Sequence, residues 1–425
     1  MSEAAPNILI VVVDCLRADR CPVDGDGPGK VTWPRLRQAG TVFTQMISTS
    51  TMTPVCFCSL LTGQYSFVHG VRFCRTKMGM DPSLPTLPGV LKQKGYSTYA
   101  RLTGPLMNVL GIDRDFDDFQ HRRTLDARGK RTGEDSIYTE WGDGLLAEFR
   151  DRALSEPWFM LLHLFEVHKP RQLNGLPCPR DKQAEYDLSW QQLDAKLDEL
   201  LRELPTNTIV VLTADHGEFY IRRSDRLWYT SMWRRARRKL GLPRRIDDRG
   251  GHGIHVFDGL VRIPCCITGP GVPPGMVVND QVRQIDLAPT LLDLLGYDLG
   301  ADSSGRSLVP LMQGEQMEEA SAYVESGSWV AGRNWHGLRE GGWKYAEHPR
   351  SSENVESEPQ LYNLSEDPDE LVNVAREHPD IVASMRDRID HLICGGTDAT
   401  RPAGKEMTEA EQAQLDQQLR SLGYI

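Results

Sequence analysis

A chain of 425 residues exceeds what one ordinary core needs, at roughly 150 residues per domain, and implies two or three units or one large α/β domain. With 40% apolar and 25% charged residues and no polar low-complexity tract, it is neither fibrous nor wholly disordered. The formal net charge of -10 argues against nucleic acid as a general partner, because phosphate neutralisation needs a basic face.

In chain order, the first apolar run is NILIVVV (7–13). It is short, lacks a basic leader and ends at Asp14, so it reads as a buried parallel strand, not as a signal peptide or membrane span. The runs YSTYARL (96–102), WFMLLHL (158–164), NTIVVLT (207–213) and VRIPCCIT (261–268) read the same way. Amphipathic segments lie between them, among them LPTLPGVLKQKG, DSIYTEWGDGLLAEFRDRALS and AEYDLSWQQLDAKLDELLREL. QIDLAPTLLDLLG (284–296) is a further helix ended by Gly296, with Asp286 as its cap. This alternation predicts an α/β fold, a mostly parallel sheet flanked by helices. After about residue 315 the pattern changes to short antiparallel strands with a Gly-Gly turn, then a helix near 379–393 and a last one ending LRSLGYI. We therefore expect a main domain over 1–315 and a smaller α+β lobe over 316–425. Nine cysteines, in no paired framework and with no C-x-x-C spacing, point to a reducing, cytoplasmic setting and argue against a cysteine zinc site.

In open α/β sheets, sites form at the carboxyl ends of strands. Asp14 follows the first run, Glu166 and His168 follow the third, and Asp215 and His216 follow the fourth. His252 and His255 sit in GGHGIHVFDG, just ahead of the fifth. Asp, Asp and His together are a ligand mixture for a hard or borderline divalent ion. Asp14 alone would read as a helix cap; Asp215-His216 has less structural reason to stand directly after a strand. The conjunction carries the reading.

These residues resemble the sulfatase branch of the alkaline phosphatase superfamily along nearly the whole chain. NILIVVVDCLRAD is similar to the opening strand and first metal aspartate, CSLLTGQYSFVHGV to the nucleophile helix and its turn, and LTADHGEFY to the second metal pair. LHLFEVHKP, HGIHVFDGLVRIPCCITGPG and GLREGGWKYAEH match further landmarks. The family nucleophile lies ten residues before the glycine of LLTG, which here is Thr53 before Gly63. Sulfatases proper use a cysteine or serine in C/S-x-P-x-R, converted to formylglycine; Thr53-Pro54-Val55-Cys56-Phe57 offers neither that residue nor the arginine. Threonine is what the phosphodiesterase and phosphotransferase relatives use. The resemblance thus implies one divalent metal (zinc, manganese, magnesium or calcium) held by Asp14, Thr53, Asp215 and His216. His168 and His252 would face the substrate. Cys56 and Cys58 would pack inside the helix. Cys15 stands where sulfatases often carry a second aspartate, and Thr103 falls where a lysine or a tryptophan-histidine pair is expected.

The expected activity is metal-dependent hydrolysis of small anionic phosphate or phosphonate esters, diesters in particular, by the Thr53 hydroxyl. The alternatives are sulfate-ester hydrolysis without formylglycine, phosphoryl transfer to an alcohol, or a catalytically silent, metal-stabilised binding protein. His69 reads as a site or turn residue, His163 as a core residue, and His255 as an orienting or exposed one. The segment 221–250 holds eleven basic and three acidic residues with Trp228, Tyr229 and Trp233 among them. It fits a solvated or homo-oligomer-forming insertion, a lid over an anionic substrate, or a membrane-surface contact.

Overall fold

Eight strands join in one sheet in the computed structural model of the chain. It describes residues 5–72, 79–104, 110–122, 136–169, 171–219, 251–253, 255–300, 303–327, 334–348, 358–396, 406–410 and 413. The strands are β1 (Asn7–Val13), β2 (Gly40–Ile47), β3 (Ser97–Thr103), β4 (Asp118–Arg122), β5 (Trp158–Leu164), β6 (Thr208–Ala214), β7 (Arg262–Thr268) and β8 (Met276–Arg283). Their order is β4-β3-β5-β1-β6-β7-β2-β8. Five of the seven neighbouring pairs are parallel, and β7 runs antiparallel to both β6 and β2. β1, β5 and β6 are buried along their whole length, which is why their sequences are unbroken apolar runs without alternation.

The helix Lys182–Arg202 shows how the covering layer is fixed. It buries Tyr186, Trp190, Leu193, Leu197 and Leu200 at helical spacing. Asp181 caps it by accepting from the Ala184 N–H at 2.9 Å. Its buried Asp194 accepts from the N–H groups of Val31 (2.7 Å) and Trp33 (2.8 Å), tying it to the start of the Thr32–Ala39 helix.

The antiparallel run of β7 has a direct effect on the site. The carboxyl ends of β1, β5, β6 and β2 lie at one sheet edge, and the amino end of β7 lies at that same edge. A histidine placed before β7 therefore meets residues placed after the other strands.

A second sheet, β12-β11-β10-β9, is antiparallel throughout. It comprises β9 (Ala322–Glu325), β10 (His336–Glu340), β11 (Trp343–Glu347) and β12 (Gln360–Asn363). Gly341 and Gly342, at φ 56° and 77°, make the β10–β11 turn, a conformation L side chains adopt at a cost. The helix Pro379–Gly396 closes this lobe through Val382, Met385 and Ile389 against Tyr323, Leu338, Tyr345 and Leu361. The helix expected at the extreme carboxyl end lies largely outside the described residues. Among the described residues, no helix is long and apolar enough to cross a membrane.

Two seams join the sheets. Glu325 N–H donates to Thr49 O (3.0 Å), and Thr51 N–H donates to Glu325 O (3.2 Å), so β9 extends onto the loop after β2. In the other seam, Lys344 Nζ, 1% exposed, lies 3.0 Å from Asp258 Oδ1. Arg339 reaches Asp258 Oδ2 at 3.2 Å, and the Asp258 N–H donates to Glu370 at 2.6 Å. Burial alone would raise the Asp258 carboxyl, but Lys344 and Arg339 outweigh it and hold the group at about 2. Lys344→Ala removes the closest charge partner of a buried carboxylate and should destabilise the protein by about 3–5 kcal/mol in urea unfolding. A loss under about 1 kcal/mol would show the seam to be solvated.

Candidate active site

Asp14 ends β1 and Asp215 ends β6, neighbouring strands in parallel register, so the two carboxyls are delivered side by side. Both residues are fully buried. Asp215 Oδ1 accepts from the backbone N–H groups of Cys15 (3.1 Å) and His216 (2.8 Å). Its Oδ2 has no hydrogen-bond partner and lies 3.3 Å from His216 Nε2. Asp14 Oδ2 takes the Thr53 hydroxyl at 3.4 Å and lies 3.5 Å from His163 Nε2, while Oδ1 is unpartnered. Ser48 Oγ donates to Asp215 O (2.5 Å) and Gln284 Nε2 to the same oxygen (3.3 Å), which fixes the turn after β6.

Thr53 opens the helix Thr53–Thr62, six residues beyond β2, with Pro54 in the first turn where its missing N–H costs nothing. Gly63, at φ 64°, ends that helix in the left-handed region. The Thr53 hydroxyl is 3.3 Å from His216 Nε2. His216 Nδ1 is 2.9 Å from Gly217 O; donation there leaves Nε2 with its lone pair facing Thr53 and Asp215. Thr53, 1% exposed, thus meets two carboxylates and an imidazole at the start of a helix, where the backbone favours anions.

His168 and His252 complete the cluster. The His252 ring is 4.4 Å from that of His216 and 5.1 Å from that of His168. His168 stacks on Phe165 at 4.1 Å. The sequence-selected residues Asp14, Thr53, Asp215, His216, His168 and His252 are therefore together in space.

The electrostatics follow from burial. Desolvation raises the Asp14 carboxyl, but the imidazoles of His168, His163 and His216 more than offset this, and the group ends well below the usual range. Asp215 is pushed up, by burial first and by the Asp14 charge second. Burial and the neighbouring rings of His216 and His168 hold His252 neutral, far below its ordinary value. Burial lowers His163, but its pairing with Asp14 outweighs that and leaves it raised. Two buried carboxylates with one unpartnered oxygen each, a correctly oriented imidazole nitrogen and a hydroxyl form a donor set suited to a divalent cation. Ligand atoms of Asp14, Asp215 and His216 all lie within 4.8 Å of one another.

Other residues find different roles. His163, read as a core residue, does lie in β5, but its Nδ1 contacts Thr103 O (2.5 Å) while Nε2 faces Asp14. It orients the Asp14 carboxylate. Thr103 supports it from β3, donating to His163 O at 2.9 Å. His255 turns to the second sheet, stacking on Phe257 (3.7 Å) and bonding Gln360 (3.0 Å). Glu166 holds the 136–137 loop through Ile137 N–H (2.9 Å) and Ser136 Oγ (3.2 Å). Asp286 does not cap the following helix as expected: its side chain makes no bond to the Leu287–Asp293 helix and instead reaches back to accept from the Arg283 N–H at 2.8 Å, bracing the turn 284–286. Cys58 packs in the core, and Cys56 contacts Ser48 Oγ and donates to Ser50 O, both at 3.2 Å. Glu218, which sequence reasoning passed over, anchors Arg171 (2.7 Å) and Lys169 (3.2 Å) and lies 4.0 Å from His252 Nδ1. Its position two residues after His216, in a run of ionisable residues beyond a buried strand, was the available signal. The basic segment 221–250 lies outside the described residues.

The fold class is that of the alkaline phosphatase superfamily. A family model described as Sulfatase matches residues 6–297, and the chain belongs to the sulfatase family. A second model, N-sulphoglucosamine sulphohydrolase, C-terminal, matches residues 253–394. Arylsulfatase K of Rattus norvegicus is 28% identical over 216 residues, 48% of this chain and 33% of the relative. The human arylsulfatase K gives 28% over 48% of this chain and 35% of its own length. The match thus spans about a third of these curated relatives. Among solved structures, a phosphonate monoester hydrolase from Silicibacter pomeroyi superposes with a TM-score of 0.68 at 18% identity, covering 95% of this chain and 100% of that one. A 2-O GAG sulfatase gives a TM-score of 0.67 at 18% identity, covering 96% of both chains.

His69 generates a pH prediction. Fully buried, it accepts the Val71 N–H on Nδ1 (3.2 Å), so Nε2 carries the proton towards Ser59 Oγ (3.0 Å). This is a turn residue, and burial depresses its pKa to about 3. A histidine lowered from about 6.5 stabilises the fold fully above that value and progressively less as pH falls towards 3. Unfolding free energy should therefore decline below pH ~6.5, by up to about 1.4 kcal/mol per pH unit from this group. The decline should be shallower in His69→Gln; equal slopes in the two proteins would remove His69 as its source.

Proposed function

We propose that this chain hydrolyses esters of a small tetrahedral oxyanion, with the Thr53 hydroxyl as nucleophile. The observation that carries the reading is the Thr53 Oγ1 position, 3.4 Å from Asp14 Oδ2 and 3.3 Å from His216 Nε2, at a helix amino terminus. Asp14, Asp215, His216 and Thr53 would hold one divalent ion, which supplies charge neutralisation and a lowered hydroxyl pKa when bound. Thr53 Oγ loses its proton to a neighbouring neutral imidazole as it bonds to sulfur or phosphorus, the bond to the leaving alkoxide or aryloxide breaks, and the departing oxygen takes up that proton. His168 and His252 stand beside Thr53's partners to orient the anion and serve that proton transfer. Water then cleaves the threonine ester. Amides at the helix start stabilise the developing oxyanion.

Sulfate esters are the first substrate class to test. Both family models and the arylsulfatase relatives favour them over the phosphorus diesters that the threonine alone implies. Phosphonate and phosphate esters remain the second reading, supported by Thr53 in place of a convertible cysteine or serine and by a hydrophobic Phe57 where the arginine would stand. A cytoplasmic setting is proposed on the free thiols of the eight described cysteines.

Metal-loaded protein should turn over an aryl sulfate or an aryl phosphonate in a panel that also holds phosphate mono- and diesters. Thr53→Ala should lose roughly three orders of magnitude in turnover, and Thr53→Ser should keep a measurable part. Cys56→Ala should leave turnover intact, and mass spectrometry should find Cys56 unmodified. Full activity in Thr53→Ala, or no activity on any class, would overturn the reading. A panel with transfer to added alcohol but no hydrolysis would make it a transferase. Asp215→Asn should also lose the metal retained by the wild type after dialysis; equal metal content would remove Asp215 from the ligand set.

A further inference from the structure

Lys169 directly follows His168 and belongs to an ion cluster built on buried residues at the rim of the site. Its ammonium lies 3.2 Å from Glu218 Oε1, with the lysine side chain 38% exposed and the glutamate 2%. The same Oε1 is 4.0 Å from His252 Nδ1, so one carboxylate oxygen faces both the ring and the lysine. The other oxygen is already taken: Arg171 Nη2, on a side chain without exposure, lies 2.7 Å from Oε2. That guanidinium also stands 5.1 Å over the Tyr186 ring and 3.5 Å from Glu185, with which Lys182 pairs at 2.5 Å. Arg17 donates to the Glu218 carbonyl at 2.9 Å. Glu218 is thus fixed from behind, and Lys169 is not needed to hold it.

Lys169, Arg171 and Lys182 share the two carboxylates Glu218 and Glu185, which leaves a positive charge in excess. Arg171 is sealed from solvent, and Lys182 is matched by Glu185 within its own helix. The excess falls to Lys169, whose ion pair among the described residues is with Glu218 alone. An ammonium offers three N–H donors, and the carboxylate takes one of them. A half-exposed pair of this kind opens at little cost, so an incoming anion can share the ammonium with Glu218. The contacts also give its distance from the chemistry. Thr53 meets His216 Nε2 at 3.3 Å, the His216 and His252 rings lie 4.4 Å apart, and Glu218 and then Lys169 follow. A cation at that remove serves a part of the ester other than the group that Thr53 attacks. We propose that Lys169 is a specificity-determining residue: it binds a second anionic group, carried by the alcohol half of the ester, so that esters of acidic alcohols are preferred to neutral ones. The inference rests on the ester-hydrolase reading above and names the substrate class within it.

The test uses the metal-loaded full-length protein and aryl sulfates of hydroxyphenylacetate, in para and meta isomers, each against its neutral methyl ester; aryl phosphonates of the same alcohols replace them where the substrate panel selects phosphorus. The leaving oxygens are matched, and only the acid carries the extra charge. Wild type should favour the acid of at least one isomer by about tenfold in kcat/KM, mainly through KM, the size expected of a hydrogen bond to a charged group. Added salt should shrink that preference. Lys169→Met should abolish it and Lys169→Arg should keep most of it, with Lys169→Gln in place of the methionine variant if that one folds poorly. Thr53→Ala gives a readout free of turnover: by calorimetry it should bind the acid more tightly than the neutral counterpart, and adding Lys169→Met should remove the difference. No acid preference in wild type with either isomer, or a preference that survives in Lys169→Met, overturns the Lys169 assignment and leaves the hydrolase reading standing. A loss in Lys169→Arg as large as in Lys169→Met makes the role structural and overturns it too. Wild type that turns over none of these esters defeats the hydrolase reading, and the binding ratio in Thr53→Ala still decides Lys169.

Discussion

Two carboxylates buried side by side set the terms for everything around them. Asp14 and Asp215 end adjacent parallel strands without exposure to water. Like charges at that depth repel strongly unless compensated. The protein arranges compensation on every side: backbone N–H groups on Asp215 Oδ1, His163 and Thr53 on Asp14 Oδ2, and His216 between. What remains uncompensated is one oxygen on each carboxylate. Imidazoles and the Thr53 hydroxyl gather at the point where those two oxygens stand open.

The second sheet is a partner in this arrangement. Its β9 pairs with residues 49–51, immediately ahead of Thr53. Its Lys344 and Arg339 grip Asp258, six residues after His252. Gly217 sits so close to Gly259 O that a Cβ there would come within 2.4 Å, which locks the chain after His216 to the same segment. Three of the site's approaches are thus braced from behind, two of them by the smaller lobe.

Much of this was legible in the sequence because burial on both faces writes strands as continuous apolar runs. β1, β5, β6 and β7 were read to within a residue or so, and the ionisable residues at their ends drew attention to one edge. β2 and β8 escaped notice because they mix threonine, glutamine and asparagine with apolar residues, as strands towards a sheet border do. The reversed direction of β7 left no local trace; direction depends on where the chain returns, not on the strand itself. His163 shows the opposite limit. Its surroundings in WFMLLHL say core, and it is buried, yet its ring nitrogen faces Asp14 across the strand pair β1–β5. A pairwise contact between strands 150 residues apart cannot be seen in either strand alone. Thr53 was reachable only through the resemblance, since nothing in TSTMTP distinguishes one hydroxyl from its neighbours.

The Asp258–Lys344 seam also bears on how such proteins diversify. A lobe that grips the histidine loop through a buried ion cluster is not an exchangeable attachment. Grafting the corresponding sheet from a relative would, unless it restored cations at 339 and 344, strand an aspartate in a dry interior. Recombination across that joint is therefore constrained by charge pairing before it is constrained by shape.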